Sequence, residues 1–138
     1  MNYITLITLI TVKIRTLADI FLWLNGNLQM DYILGQNPVG RSYMVGFGNN
    51  PPKQAHHRGA SVPLSDAKLD VGCLMSFVRW YNKNVPNPNE LTGAILGGPD
   101  KQDQFSDLRW TSVYTEPCTY ANSLAVAALA KLTCPAKP

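Results

Sequence analysis

Residues 105–132 read FSDLRWTSVYTEPCTYANSLAVAALAKL, and the second half of this stretch decides the fold class. From Thr119 to Leu132 the chain is rich in Ala and Leu, two residues with high helix propensity. Pro117 stands near the first turn, where proline is tolerated, and the Cys134-Pro135 pair follows the last apolar residue. The pattern predicts a helix from Thr119 to Leu132, the strongest helix in the chain.

Two weaker helical patterns lie upstream. Residues 28–34 have apolar side chains that fit the last turns of a helix, and Gly35 is placed to end it. Residues 71–81 also carry apolar side chains at helical spacing. Residues 42–47 are aromatic and β-branched, which fits either a short strand or an extended loop packed on helices.

The segments between these patterns are predicted to be loops. Residues 48–63 and 84–100 are interrupted by Pro, Gly and Asn. Helices joined by long loops indicate an all-α protein whose loops carry the function.

Composition excludes several classes of protein. A length of 138 residues, 15% of them charged, suits one compact domain. The net charge of +3 is too small for the basic surface that nucleic-acid binding requires. The glycine-rich residues 93–98 lack the Gly-Lys-Ser/Thr ending of a phosphate-binding loop, so no nucleotide is expected. Cys73, Cys118 and Cys134 have no metal-ligand spacing with the two histidines, so no metal is expected. No other cofactor is expected either. Three unpaired thiols, or one bridge and a free thiol, both fit.

The first 27 residues differ from the rest of the chain. Their apolar run, residues 3–12, is too short for a membrane span, which needs about 20 residues. Positive charge follows this run instead of preceding it, unlike a secretory signal. We expect residues 1–27 to be a divergent or wrongly predicted leader; membrane attachment through them is the less favoured alternative.

Two clusters of polar residues are candidate sites. The first is the triplet His56-His57-Arg58, in which adjacent side chains of an extended loop point opposite ways, so one histidine at most faces a given site. The alternative is a structural histidine bonded to the backbone, with Arg58 in a surface ion pair. No third ligand lies at a spacing that would indicate zinc.

The second cluster precedes the last helix and combines three acidic with three aromatic side chains: Asp103, Asp107, Glu116, Trp110, Tyr114 and Tyr120. Carboxyl groups beside aromatic rings suit carbohydrate chemistry, because one carboxyl protonates the leaving oxygen, another activates water, and the rings stack on sugars. The alternative is a solvated acidic turn that caps the helix.

Three stretches, in this order along the chain, resemble glycoside hydrolase family 9 and within it the plant endo-β-1,4-glucanases. They are DYILGQNPVGRSYMVGFG at 31–48 with AHHRGASVP at 55–63, then PNPNELTGAILGGPD at 86–100, then the stretch at 105–132. The resemblance implies that residues 28–138 are the C-terminal part of the family's catalytic domain, an incomplete (α/α)6 barrel with long ordered loops. It also implies hydrolysis of internal β-1,4-glucosidic bonds of cellulose with inversion.

The resemblance also implies roles for individual residues. Glu116 matches the general acid, His56 the active-site histidine and Asp107 the aspartate of the second family signature. Arg58 and Tyr120 match positions expected to contact sugar. The substrate implied is a β-1,4-glucan, and the full-length parent enzyme is expected to be secreted or in the cell wall.

One family feature is absent from the chain. The family's catalytic base lies in an upstream Asp-Ala-Gly-Asp motif, which does not occur in these residues. We therefore expect the isolated chain to be inactive and, with apolar faces uncovered, prone to aggregate. The alternative function is that of a non-catalytic carbohydrate-binding fragment.

Overall fold

The computed structural model describes residues 26–66, 68–69 and 71–133, and these residues form helices joined by long loops. The α-helices are α1 (26–34), α2 (Arg58–Ser61), α3 (Cys73–Ser76), α4 (Ser112–Thr115) and α5 (Thr119–Thr133). A 3-10 turn spans Leu64–Asp66, and α3 runs directly into a π-helical turn at Phe77–Tyr81. Within the described residues there is no strand, only one isolated antiparallel bridge between Met44 and Ile95. The all-α prediction is confirmed.

Helix α1 ends where the sequence predicts. Gly35 adopts a φ of +119°, a conformation that favours glycine, and its N–H donates to the carbonyl of Tyr32 at 3.3 Å. The next N–H, that of Gln36, donates to Asp31 at 2.8 Å. These bonds satisfy carbonyls that the helix end would leave unpaired.

Helix α5 packs against α1 and the loop at residues 93–95. The buried centre of this contact is Met30, Ile95 and Ala125, and the apolar side chains around it are Ile33, Leu34, Met44, Ala128, Leu129 and Leu132. Asn122 on α5 fixes the loop with two hydrogen bonds. It accepts from the N–H of Ile95 at 3.1 Å and donates to the carbonyl of Gly93 at 3.0 Å.

Residues 42–47 form a loop, as in the second of the two alternatives that the sequence allows, but the loop turns at residues 45–46 and is not extended throughout. The N–H of Tyr43 donates to Ile33 at the end of α1, and the Tyr43 carbonyl accepts from Leu96. Val45 and Leu96 are buried with Ala55 in a second apolar cluster. This cluster joins the loop that precedes the histidines to the loop that faces α4.

Three short helical segments depart from the sequence prediction. The pattern at 71–81 predicts one helix, but α3 begins at Cys73 and widens to the π-helical turn. The predicted loop 48–63 contains α2, and α4 is also unpredicted. Helices of four residues carry too few apolar positions for a period of 3.6 to be visible.

The predicted leader, residues 1–27, lies almost wholly outside the described residues, as does Cys134. Cys73 and Cys118 are free thiols. None of the helices in the described part of the chain has the length and apolar character needed to cross a membrane.

Candidate active site

The histidine loop is bonded to the segment that contains Asp107 and Glu116. The Asp107 carboxylate accepts the backbone N–H groups of Lys53 at 2.9 Å and Gln54 at 3.0 Å. The Gln54 side chain donates to the Asp107 carbonyl at 2.9 Å, and the N–H of His56 donates to the carbonyl of Thr115 at 2.8 Å. His56 is therefore held beside the residue that directly precedes Glu116.

This arrangement gives Asp107 a structural task. Both of its carboxylate oxygens accept backbone N–H groups, and such charge-assisted bonds are stronger than neutral ones. Asp107 thereby anchors the loop that carries His56. The active-site role that the family resemblance implies for Asp107 stays a prediction.

The imidazole of His56 is half-buried and bonded through Nδ1. Nδ1 lies 2.7 Å from the carbonyl oxygen of Arg109 and 2.7 Å from the hydroxyl of Tyr81. The Tyr81 hydroxyl also donates to the Arg109 carbonyl at 3.1 Å, and its ring meets the imidazole edge-on with centroids 5.8 Å apart. Burial raises the pKa of Tyr81, so its hydroxyl stays protonated at neutral pH.

The other two members of the triplet face different partners. His57 caps α2, because its Nδ1 accepts the N–H of Ala60 at 3.0 Å. The exposed Arg58 guanidinium lies 4.8 Å from the centre of the Phe77 ring. Both histidines are thus bonded to the backbone, as the structural alternative predicts. Arg58 stacks on an aromatic ring and forms no ion pair within the described residues.

Glu116 is exposed at the end of α4 and opens onto a groove of about 250 Å³. The groove is lined by Leu96, Gly97, Ser112, Val113, Glu116, Cys118, Tyr120 and Ala121. Among the described residues no group hydrogen-bonds the Glu116 carboxylate, which leaves it free to meet a ligand.

Gly97 shapes one wall of this groove. A Cβ at Gly97 would overlap the backbone carbonyl of Val113, the second residue of α4. Only glycine allows the loop at 96–98 to approach α4 so closely. The glycine therefore determines the position of the helix whose end carries Glu116.

Two aromatic residues of the second candidate cluster, both close to Glu116 in sequence, are exposed. Tyr120 is 71% exposed and lines the same groove, and its pKa is raised first by the Cys118 thiol and more weakly by the Glu116 carboxylate. Trp110 is 45% exposed. Asp103, by contrast, accepts the hydroxyl of Tyr32, a bond that raises the pKa of Tyr32.

Sequence reasoning missed Arg109, which is fully buried. Its Nε donates to the Asn87 side chain at 2.7 Å, and its two terminal nitrogens donate to the carbonyls of Tyr81, Lys83 and Val85 at 2.8–2.9 Å. Burial lowers the pKa of this guanidinium. No signal in the sequence marks it, because an arginine is ordinarily a surface residue and its partners lie 22–28 positions away.

No three His, Cys, Asp or Glu side chains in the described part of the chain are placed to hold a metal ion.

Comparison with known proteins identifies a family. The model of Glycosyl hydrolase family 9 matches residues 23–129. Endoglucanase 16 of Arabidopsis thaliana is 78% identical over 104 residues, and Endoglucanase 8 of Oryza sativa subsp. japonica is 62% identical over 104 residues. Each alignment covers 75% of this chain and 21% of the relative, so the chain spans about a fifth of the length of these relatives.

Solved structures give the same result. The endoglucanase of the termite Nasutitermes takasagoensis matches with a TM-score of 0.61 and 36% identity, over 78% of this chain and 24% of that one. CelQ of Clostridium thermocellum, solved with cellotriose, matches with a TM-score of 0.62 and 37% identity, over 78% and 16%. These matches confirm the predicted fold class, part of an (α/α)6 barrel.

Proposed function

The chain belongs to glycosyl hydrolase family 9, and from this membership we propose that its described residues form part of an endoglucanase active site that cleaves internal β-1,4-glucosidic bonds of cellulose with inversion. Glu116 protonates the departing glycosidic oxygen in this proposal. His56 contacts the sugar beside it, and Arg58 and Tyr120 are further sugar contacts.

One observation carries the proposal. The N–H of His56 donates to the carbonyl of Thr115, which fixes the histidine loop next to the residue that precedes Glu116. A general acid must reach the leaving oxygen directly, and the exposed carboxylate of Glu116, which has no hydrogen-bond partner among the described residues, meets that condition. The cello-oligosaccharides bound in related structures support a glucan as the substrate class.

Inversion also needs a carboxylate base that activates water on the opposite face of the sugar. The Asp-Ala-Gly-Asp motif that would supply it is absent from this sequence. We therefore propose that the chain shows no hydrolysis by itself and that its residues act only together with the remainder of a family 9 domain.

A chimaera tests this function. Residues 28–134 replace the matching segment of Arabidopsis Endoglucanase 16, and the release of reducing ends from carboxymethylcellulose is measured. The chain contains two glutamates, which gives a matched pair of variants, Glu116→Gln and the control Glu90→Gln. Removal of a general acid lowers the rate by about 10²- to 10⁴-fold, so Glu116→Gln should lose activity by that factor.

Glu90 is exposed and accepts from Thr92, away from the bonds that hold His56, and Glu90→Gln should stay near the rate of the unmutated chimaera. An active chimaera in which Glu116→Gln and Glu90→Gln behave alike would refute the assignment of the acid.

The exposure of Trp110 and Tyr120 favours one second candidate, a non-catalytic carbohydrate-binding fragment. Aromatic side chains that reach solvent can stack on sugar rings without chemistry. Binding of cellotetraose to the isolated chain, unchanged in Glu116→Gln and lost in Tyr120→Ala, would support this candidate over the enzyme fragment.

A further inference from the structure

The two adjacent histidines use Nδ1 in opposite ways. Nδ1 of His56 lies 2.7 Å from the carbonyl oxygen of Arg109, which can only accept a hydrogen bond, so this nitrogen carries a proton. Nδ1 of His57 lies 3.0 Å from the N–H of Ala60, which can only donate, so this nitrogen carries a lone pair. In the neutral state His56 is the Nδ1–H tautomer and His57 the Nε2–H tautomer.

Among the described residues, the Tyr81 hydroxyl is the group near His56 that could reverse this assignment. It lies 2.7 Å from the same Nδ1 and could donate to it if the nitrogen were unprotonated. The Nδ1 lone pair would then face the Arg109 oxygen at 2.7 Å, which is repulsive. Since the hydroxyl is also 3.1 Å from that oxygen, it donates there, and one carbonyl accepts both protons through its two lone pairs.

The position of this carbonyl depends on the Arg109 side chain. The guanidinium makes four hydrogen bonds to residues 81–87, one of them to the backbone carbonyl of Tyr81. Arg109 and Tyr81 are thus joined by two hydrogen bonds. The Arg109 guanidinium donates to the Tyr81 carbonyl, and the Tyr81 hydroxyl donates to the Arg109 carbonyl. A shift of the guanidinium would move the oxygen that holds His56.

We propose that Arg109 is a positioning residue that fixes His56 as the Nδ1–H tautomer, so that Nε2 is presented to the glucan as a hydrogen-bond acceptor for a sugar hydroxyl. Among the described residues no group hydrogen-bonds Nε2 of His56. The contact with glucan rests on the proposed function, whereas the tautomer and its dependence on Arg109 do not.

The tautomers are measured by ¹⁵N NMR on the full chain labelled at histidine. The chain has two histidines, so the spectrum contains four ring nitrogens. The spectra are recorded on the alkaline plateau, where the four ring-nitrogen chemical shifts no longer change with pH. The unmutated chain should show the lone-pair nitrogen at Nε2 of His56 and at Nδ1 of His57. The same tautomer at both positions, or the reverse pattern, would overturn the proposal.

Variants test which group sets the tautomer. Arg109→Lys should raise the Nε2–H population of His56 by about 5- to 10-fold, the weight of one ordinary hydrogen bond, and leave His57 unchanged. Arg79→Lys is the control, because Arg79 is exposed and stacks on Trp80. Tyr81→Phe should keep His56 in the Nδ1–H form. A switch to Nε2–H in Tyr81→Phe, or no change in a folded Arg109→Lys chain, would contradict the role given to Arg109.

These spectra are recorded without substrate, so their result is independent of the hydrolysis assay. An inactive chimaera together with the expected tautomers would refute the proposed function alone. An active chimaera with the reverse tautomers would refute this inference alone. The spectrum of the unmutated chain decides the tautomer even if a variant fails to fold.

Discussion

Replacement of Arg109 by Met should destabilise the chain more than the same substitution at any other arginine that the structure describes. The substitution keeps a long apolar side chain but removes four donated hydrogen bonds. It leaves the Asn87 side chain and the carbonyls of Tyr81, Lys83 and Val85 without their partner. A buried polar group without a partner costs about 1–3 kcal/mol.

The four orphaned groups differ in their access to water. Tyr81 is buried, whereas Lys83 and Val85 are exposed, so water can replace the guanidinium at some of these carbonyls. The expected net loss is about 3–5 kcal/mol, the range for breaking a buried charged network by removal of one member. With a urea m-value of about 2 kcal/mol per molar, the unfolding midpoint should fall by about 2 M.

Urea titration followed by tryptophan fluorescence measures this midpoint, because Trp80 is buried beside the affected residues. Arg79→Met is the matched control. Arg79 is exposed and makes one cation–π contact with Trp80 at 5.2 Å, worth about 0.5–1 kcal/mol. Equal midpoints for Arg109→Met and Arg79→Met would refute the reasoning that the buried guanidinium holds residues 81–87 in place.

Three further predictions concern other parts of the site. Asp107→Asn replaces one acceptor oxygen by a donor that faces a backbone N–H. The free energy of unfolding should therefore fall by about 1.5–3 kcal/mol, and the backbone N–H of Gln54 should exchange its hydrogen faster. An unchanged exchange rate would contradict the role of Asp107 in anchoring the histidine loop. Gly97→Ala places a Cβ against the Val113 carbonyl and should cost about 1–3 kcal/mol in urea titrations, and no loss would mean that α4 moves freely. Burial raises the pKa of Tyr81, so the contribution of its neutral hydroxyl to stability is complete below pH 10 and is lost as the pH rises through the folded-state pKa. Tyr81→Phe should therefore reduce the loss of stability at alkaline pH. An unchanged dependence of stability on pH would exclude Tyr81 as the cause of that loss.

The sequence predicts the long elements of the fold well. The sequence predicts α5 at Thr119–Leu132 and the helix is observed at Thr119–Thr133, because a long run rich in Ala and Leu has high intrinsic helix propensity. The end of α1 at Gly35 is equally local, since the positive φ that closes the helix favours glycine. The choice between strand and loop at 42–47 is not local. It depends on partners in α1 and at residues 93–96 that lie far away in the sequence.

The candidate site is predicted in part. The family motifs indicate His56, Asp107 and Glu116, and the structure brings the His56 loop against the segment that carries both acidic residues. The motifs give no indication that Asp107 binds the backbone of the histidine loop. Arg109 is missed altogether, because its burial is stabilised by carbonyls that any sequence at residues 81–85 would provide.

The central claim, that Glu116 is a general acid, is tested most directly by changing the leaving group in the chimaera. A dinitrophenyl cellotrioside has a leaving group that departs without protonation, whereas the sugar oxygen in carboxymethylcellulose needs an acid. Glu116→Gln should therefore hydrolyse the aryl glycoside at close to the rate of the unmutated chimaera and lose about 10²- to 10⁴-fold on carboxymethylcellulose. Equal losses on both substrates would contradict the account and assign Glu116 a role in binding or in folding.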